Sequence, residues 1–519
     1  MTNPSSFTFI TTFLVIVGFL SLIIKKWKKV NTTPNRLPPG PSLLHLICSL
    51  HYFLLSFPLH YFLRDLAKIY GPLMHVKAGE LSLVVASSAY MAKKVLKTHD
   101  LACANRPRSL STQITSYDYS DIVFSPYGEY WRQMRRICML ELLSAKKVWS
   151  FEHIRADEAS ALVKSIRSSS GAVPFNLTEK VFMSMNLMTS RAAFGDVVMD
   201  RVATNELMKK AIALVGQFVV ADLFPVFHYF SLSKFKLLKV RAELGIIIDN
   251  IIDLHRKKWT LPQKGNRELV TQDLVDVLLR LKESGEIGIP ITNDNIKAVI
   301  FDIFSAGTEA SSTTVDWAMA ELMKNPRVMA KAQNEVRKAF NGRKMVQESE
   351  IRTLKYLKLV IKETLRLHPQ TTLIPRACRE EFEIDGYHIP LNTFVIINVW
   401  AIGRDQNYWA NPESFEPERF EEKPINFLGN HFEYVPFGSG KRICPGITFS
   451  LASMEFLLAQ LLYHFDWKLP CGISTDGLDM TEAGTCRKGS LHLIAIPYSP
   501  AFEDGDISRP LTLVSLNFL

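Results

Sequence analysis

None of the chain's seven cysteines, at 48, 103, 138, 378, 444, 471 and 486, pairs with another at C-x-x-C spacing. An odd number without such pairs argues against a disulfide framework or a cysteine zinc site, and a reducing compartment fits better. Internal repeats and low-complexity runs are also missing, and from Arg64 to Pro500 no linker divides the chain. Acidic residues are in deficit, 51 against 61 Lys and Arg, which leaves a formal charge of +10. Such a surplus favours acidic partners. No helix-turn-helix, zinc-finger or aromatic RNA-binding pattern accompanies it, and the basic residues are scattered, so nucleic acid is set aside. A membrane surface or an acidic protein remains.

What is present starts with an uncharged apolar run, Phe7 to Ile24. As a helix it would be about 27 Å long at 1.5 Å per residue, close to the roughly 30 Å of a bilayer core. Lys25, Lys26, Trp27, Lys28 and Lys29 follow at once. Positive flanks stay cytoplasmic and Trp prefers the interface, so residues 1–30 are expected to be a single-pass anchor with everything later in the cytosol. A cleaved secretory peptide fits less well, because the charge follows the apolar run and no small-x-small site closes it.

Residues 31–41 end in Leu37-Pro38-Pro39-Gly40-Pro41, too proline-rich for helix or central strand. They are read as a stiff hinge setting the body's angle to the membrane. Leu43 to Phe62 is apolar and aromatic; it either touches the bilayer, lines an access path, or forms an ordinary first helix. Residues 42–500 show mainly helical periodicity, with β-rich pieces at Leu73 to Ala86, Phe382 to Ile397 and Ser490 to Pro497. One large, mainly α domain with a minor β portion is predicted, followed by a surface tail at 501–519.

The most informative stretch is Phe437-Gly438-Ser439-Gly440-Lys441-Arg442-Ile443-Cys444-Pro445-Gly446. It sets one thiol on a glycine-loosened turn, beside two cations and before an apolar run from Ile447 to Leu462 that reads as a helix. A helix N-terminus and neighbouring Lys or Arg favour thiolate. Gly440 and Gly446 allow close backbone approach to a flat ligand, and Pro445 suits a first helical turn. The pattern F-x-x-G-x-R-x-C-x-G resembles the haem-binding loop of the cytochrome P450 monooxygenases, whose Cys thiolate is the axial iron ligand. A small buried structural cysteine is the plain alternative.

Thr292-Asn293-Asp294 starts and Asn325-Pro326 stops a helix of about thirty residues. Its middle, Ala306-Gly307-Thr308-Glu309-Ala310-Ser311, resembles the family's oxygen-binding segment, Ala/Gly-Gly-x-Asp/Glu-Thr-Thr/Ser. Glu309 matches the acid; Ala310 stands where the threonine is usual. A methyl group can neither donate a hydrogen bond nor hold a water, so three accounts of proton delivery stay open. Ser311 or a water held by Glu309 replaces the relay, a polar group of the substrate does so, or the chemistry needs less proton delivery. Small residues at 306 and 307 would let a macrocycle and dioxygen lie against the helix. Asp302 and Ser305 share the face of Ala306 and Glu309. Asp302 is either a partner for a cationic substrate nitrogen or a carboxylate tied to its neighbours.

Glu363 and Arg366 at i, i+3 would alone be a surface ion pair. With Pro417-Glu418-Arg419-Phe420 downstream, they resemble the family's structural network of Glu363, Arg366 and Arg419. Trp131 and Arg135 form a W-x-x-x-R that resembles the family's haem-propionate contact; core packing for Trp131 and a solvated face for Arg135 are the alternatives. The resemblance implies that Arg442 and Arg376 meet propionates too. It runs in order along essentially the entire chain, and Lys362 to Pro369 and Ala306 to Glu309 look most like plant microsomal A-type members. Ile47-Cys48-Ser49 replaces the Ile-Gly-Asn turn usual there.

The resemblance implies a single cytochrome P450-type domain with a long central helix, plus an N-terminal transmembrane helix, in the endoplasmic reticulum membrane. Its cofactor would be haem b, ligated by Cys444. Electrons would come from NADPH through NADPH-cytochrome P450 reductase, docked around Lys441, Arg442, Arg132 and Arg136. The substrates would be dioxygen and a small apolar metabolite, with a terpenoid or terpenoid-indole alkaloid favoured for hydroxylation or epoxidation. Pocket residues are expected at Thr115 to Phe124, near Phe218, at Phe301 to Ala310, at Thr371 to Ile374, and near Ala483 and Gly484. A reductase-independent isomerase or dehydratase acting on a peroxide, and a non-catalytic haem protein, are the competing readings.

Overall fold

The computed structural model describes residues 36–42, 58–78, 80–169, 173–195, 232–260, 273–286, 288–341, 343 and 347–498. The expected anchor, the Ile47-Cys48-Ser49 stretch, Phe218 and the closing tail lie outside them. Among the described residues, no helix is long and apolar enough to cross a membrane.

Five helices position the site: α1 (Glu129–Cys138), α2 (Leu177–Phe194), α3 (Asn293–Lys324), α4 (Lys355–Leu367) and α5 (Ile447–His464). Capping chemistry sets α3 where the sequence places it. The Thr292 hydroxyl accepts from the Asn295 amide at 3.2 Å, and the Asn295 side chain accepts from the Thr292 amide at 2.7 Å, a reciprocal N-cap. Pro326 begins the next helix, Pro326–Ala339, and so ends this one. At 32 residues, α3 is about 48 Å long. Its second half is buried among α2, α4 and α5, in a core that includes Val315, Ala318, Met319 and Leu322.

The principal sheet has four strands, β1 (Leu73–Ala78), β2 (Leu81–Ala86), β3 (Leu373–Ala377) and β4 (Phe394–Asn398), in the order β1-β2-β4-β3. Within it only β2 and β4 pair parallel, with Val85 opposite Ile396. Ser490 to Pro497 contributes the strand His492–Pro497, as its alternation predicts. The proline segment is docked on this sheet rather than free. Pro39 O accepts from the His75 amide at 2.9 Å, and a Cβ on Gly40 would lie 1.7 Å from His75 O.

A buried ion pair ties helix Leu232–Thr260 to helix Leu274–Ser284. His255 Nδ1 lies 2.7 Å from Ile251 O and Nε2 lies 2.8 Å from Asp273 Oδ2, while Asp273 caps the second helix. A carbonyl and a carboxylate only accept, so His255 donates twice and is an imidazolium. Burial opposes that charge, but the hydrogen bond and charge of Asp273 outweigh it and raise the pKa above the ordinary 6.5. The pair's stabilisation is therefore complete below the unfolded-state value and fades as pH rises through the folded-state one. His255→Gln should cost about 2 kcal/mol at pH 6 and markedly less at pH 9, measured by urea unfolding at both pH values.

Candidate active site

A largely apolar cavity of about 560 Å³ opens between α3, the cysteine loop, β3 and the segment 122–124. The loop brings Cys444 to its floor by backbone bonds. The Cys444 amide donates to Phe437 O at 3.0 Å, and the Lys441 amide to Asp100 Oδ2 at 2.8 Å. Gly440 adopts φ +72°, and a Cβ there would meet Leu96 O and Asp100 at 2.5 Å, so it is required by its own packing. Gly446 is the N-cap of α5 with φ −89°, and a Cβ on it would stand 3.9 Å from Cys444 Sγ, an ordinary contact. Pro445 precedes that N-cap and so lies outside the first helical turn.

Four guanidinium groups, Arg106, Arg135, Arg376 and Arg442, line the same cavity. Arg135 donates to Ile443 O. Arg376 donates to Ser439 O at 3.2 Å, and Arg442 donates to Ala104 O at 2.8 Å and to Ser125 O. Nη1 of Arg376 and Nη1 of Arg442 are both buried without a partner among the described residues. Burial and then the neighbouring cation Arg106 push Arg442 down to about 9; burial likewise takes Arg106 down to about 10. A cavity with crowded cations and unused donors is made for a ligand that carries carboxylates.

Trp131 does not line this cavity. Its indole N–H donates to Ile122 O at 3.0 Å, and its ring instead lies 4.2 Å from Arg442 Cζ and 5.3 Å from Arg135 Cζ. It orients two of the cations and has no free donor for a carboxylate. Arg106 escapes a reading of the sequence; Asn105-Arg106-Pro107 carries no spacing signal, and the bridge of Asn105 to Ala377, with Arg106's own bond to Pro375 O, brings it beside Arg376. Burial pushes the Cys444 thiol up, opposed by the Gly446 amide and by Arg135 and Arg106. The cations that act on it are thus distant in sequence, not the adjacent Lys441 and Arg442.

Along α3, Ala306 is exposed to the cavity, whereas a Cβ on Gly307 would come within 2.8 Å of Thr189 on α2. Gly307 therefore serves helix packing as well as the cavity wall, which it lines together with Thr189. Glu309 and Ala310 both line the cavity, and burial pushes the Glu309 carboxyl up to about 7. Ser311 is 1% exposed, donates to Ser450 Oγ on α5 at 3.2 Å and is absent from the cavity wall. Beyond Ala310 on α3, the hydroxyl in the wall is that of Thr314, which donates to Ala310 O at 2.8 Å. Asp302 accepts from the Ile122 and Val123 amides at 2.8 and 3.2 Å, so it anchors that segment and does not need a substrate cation. Ser305 bonds back to Phe301 O at 2.7 Å.

On α4, whose Leu365 reaches the cavity, Glu363 Oε1 and Oε2 receive Arg366, each at 2.8 Å, and Oε1 also receives Arg419 Nε at 2.9 Å. The three residues expected to form a network are together. Of the expected lining, Ile122 to Phe124, most of Phe301 to Ala310, Thr371 and Ile374 are in the wall; at the last segment the wall residue is Thr485.

Comparison with known proteins identifies the family. The cytochrome P450 family pattern matches residues 38–485. Premnaspirodiene oxygenase of Hyoscyamus muticus is 51% identical over 96% of this chain and 99% of its own. Tabersonine 3-oxygenase of Catharanthus roseus is 49% identical over 96% and 99%. A zebra fish cytochrome P450 solved with abiraterone superposes with a TM-score of 0.71 at 22% identity, over 85% of this chain and 99% of that one, a likeness of fold. A mainly helical body with a cysteine loop and a long helix facing one cavity is the arrangement of a haem-thiolate oxygenase. The chain belongs to the cytochrome P450 family and is a monooxygenase; the family uses a cysteine-ligated haem.

Proposed function

We propose that the protein is a membrane-anchored, NADPH-dependent monooxygenase of the endoplasmic reticulum that hydroxylates or epoxidises an apolar terpenoid or terpenoid-indole alkaloid. The observation that carries this reading is the convergence of Cys444 with four arginines, two bearing unused buried donors, on one apolar cavity. Cys444 would be the iron ligand, and Arg376, Arg442, Arg135 and Arg106 would hold the propionates. Bound haem supplies dioxygen activation and transfer of one oxygen atom. The relatives' names, for oxidation of premnaspirodiene and of tabersonine, support the substrate class. Lys441, Arg132 and Arg136 are exposed and suit a docking face for an acidic reductase, while Arg442 is 5% exposed and belongs to the interior.

Glu309 holds the proton on this reading. With its carboxyl up at about 7, it is a mixture of acid and base near neutrality, as a donor that must be reloaded requires. Ser311, turned to Ser450, is left out of the relay. Glu309→Gln should lower product formed per NADPH about tenfold and remove the fall in wild-type coupling above pH 7, followed by product and NADPH assays from pH 6 to 9. The function as a whole is tested by expressing the chain with a reductase in microsomes and screening terpenoid and alkaloid panels. Products that require NADPH support it; turnover of peroxides without NADPH would mean an isomerase or dehydratase.

A further inference from the structure

The cavity wall ends in a hairpin too small to hold itself. Its strands, Glu482–Ala483 and Cys486–Arg487, pair at just two positions around Gly484 and Thr485, and even longer isolated hairpins are marginal in water. Yet Thr485 faces the cavity, and Cys486 Sγ stands 4.0 Å from Glu309 Oε1. Something outside the hairpin must fix its place.

The side chain of Glu482 is 7% exposed. Its Oε2 lies 2.9 Å from His60 Nε2, and its Oε1 lies 3.3 Å from Trp400 Nε1 and 3.5 Å from His368 Nδ1. His368 Nε2 lies 2.8 Å from Glu321 Oε1 on α3, and its ring stacks flat on Trp317, with centroids 3.8 Å apart and planes 3° from parallel. Trp317, also on α3, donates its indole N–H to Thr485 O at 3.0 Å. The hairpin is thus pinned twice, by the carboxylate at its base and by the carbonyl at its tip, and the rings these two groups meet, His368 and Trp317, stack on each other. Burial alone would push the Glu482 carboxyl up, but the neighbouring His368 and His60 outweigh it and hold it down at about 2; the anchor stays ionised throughout the working range.

We infer that Glu482, clamped by His60 and His368, is a positioning residue for selectivity: it sets how far Thr485 projects over the reacting position beside Glu309. The inference rests on the cavity being the haem site. Loss of the clamp lets the hairpin shift, so ligands long enough to reach Thr485 feel it and short ones do not.

The test uses haem-loaded full-length protein and two nitrogen ligands, free imidazole and 4-phenylimidazole, titrated by optical difference spectra. In Glu482→Gln, phenylimidazole should bind about tenfold more weakly while imidazole changes less than about twofold; His60→Gln should act in the same direction. In a Thr485→Ala background, Glu482→Gln should have little further effect, because coupled residues give non-additive changes. Equal shifts for both ligands, additive effects with Thr485→Ala, or failure of both Glu482→Gln and His60→Gln to load haem would overturn the proposal. Absence of any nitrogen-ligand spectrum in the wild type would instead refute the haem-site reading itself.

Discussion

Cys444→Ser should give a protein that folds but shows no thiolate-type reduced-CO Soret band and forms no NADPH-dependent product. The loop does not depend on the sulfur for its shape. Its fixed points are the Cys444 amide on Phe437 O, the Lys441 amide on Asp100, Arg135 on Ile443 O, and the positive φ of Gly440. A serine hydroxyl fits there, and the change in folding stability should stay within about 1 kcal/mol, checked by urea unfolding. The chemistry differs because an alcohol at this site stays protonated. Even the thiol is pushed up by burial, with the Gly446 amide, Arg135 and Arg106 only partly compensating, so its deprotonation is coupled to ligation. Serine has a much higher intrinsic pKa, and that coupling cannot make up the difference. A Cys444→Ser protein that kept the thiolate band would move the ligand to another cysteine, with Cys486 the first to examine.

The same residue shows what sequence can and cannot carry. Local patterns transmit well: the Thr292 cap, the Asn325-Pro326 stop and the glycine-loosened turn at 437–446 all depend on neighbours a few residues apart, and the structure has them where the spacing puts them. Cys444 is legible for that reason. Its electrostatic surroundings are not, since Arg106 and Arg135 arrive from distant segments while the adjacent Arg442 turns to Trp131. Trp131 itself illustrates the loss: spacing puts its indole beside Arg135, but the destination of the N–H is Ile122 O. Gly307 and Ser311 are legible as small and polar positions on α3. Which neighbour each faces, Thr189 on α2 or Ser450 on α5, is decided by packing of helices far apart in sequence. The hairpin at 482–487 is legible as a piece of wall, but its clamp joins residues 60, 317, 368, 400 and 482, a set no periodicity connects.

Arg366→Met should prevent accumulation of haem-loaded protein altogether, and Arg366→Lys should not rescue it. Arg366 is 1% exposed and uses all five of its N–H groups. Nε and Nη2 bind the two oxygens of Glu363, Nη1 binds Gly403 O at 2.7 Å and Pro412 O at 2.6 Å, and Nη2 also binds Ser414 O at 3.0 Å. Methionine fills similar space but leaves Glu363, itself 0% exposed, with Arg419 as its remaining cation. Removing one partner of a buried pair costs about 3–5 kcal/mol, and each stranded carbonyl adds about 1–3 kcal/mol. Against a total stability of about 5–15 kcal/mol, that is enough to unfold the protein. Lysine restores the charge but has three donors on a single nitrogen and cannot span a carboxylate and three carbonyls at once. The carbonyls belong to 403–414, the segment that leads toward the cysteine loop, so their release should appear first as failure to retain haem. Comparing haem content with soluble protein for the wild type, Arg366→Met and Arg366→Lys decides the matter: near-normal haem content in Arg366→Lys would show that charge alone, not the five-bond geometry, holds this part of the fold.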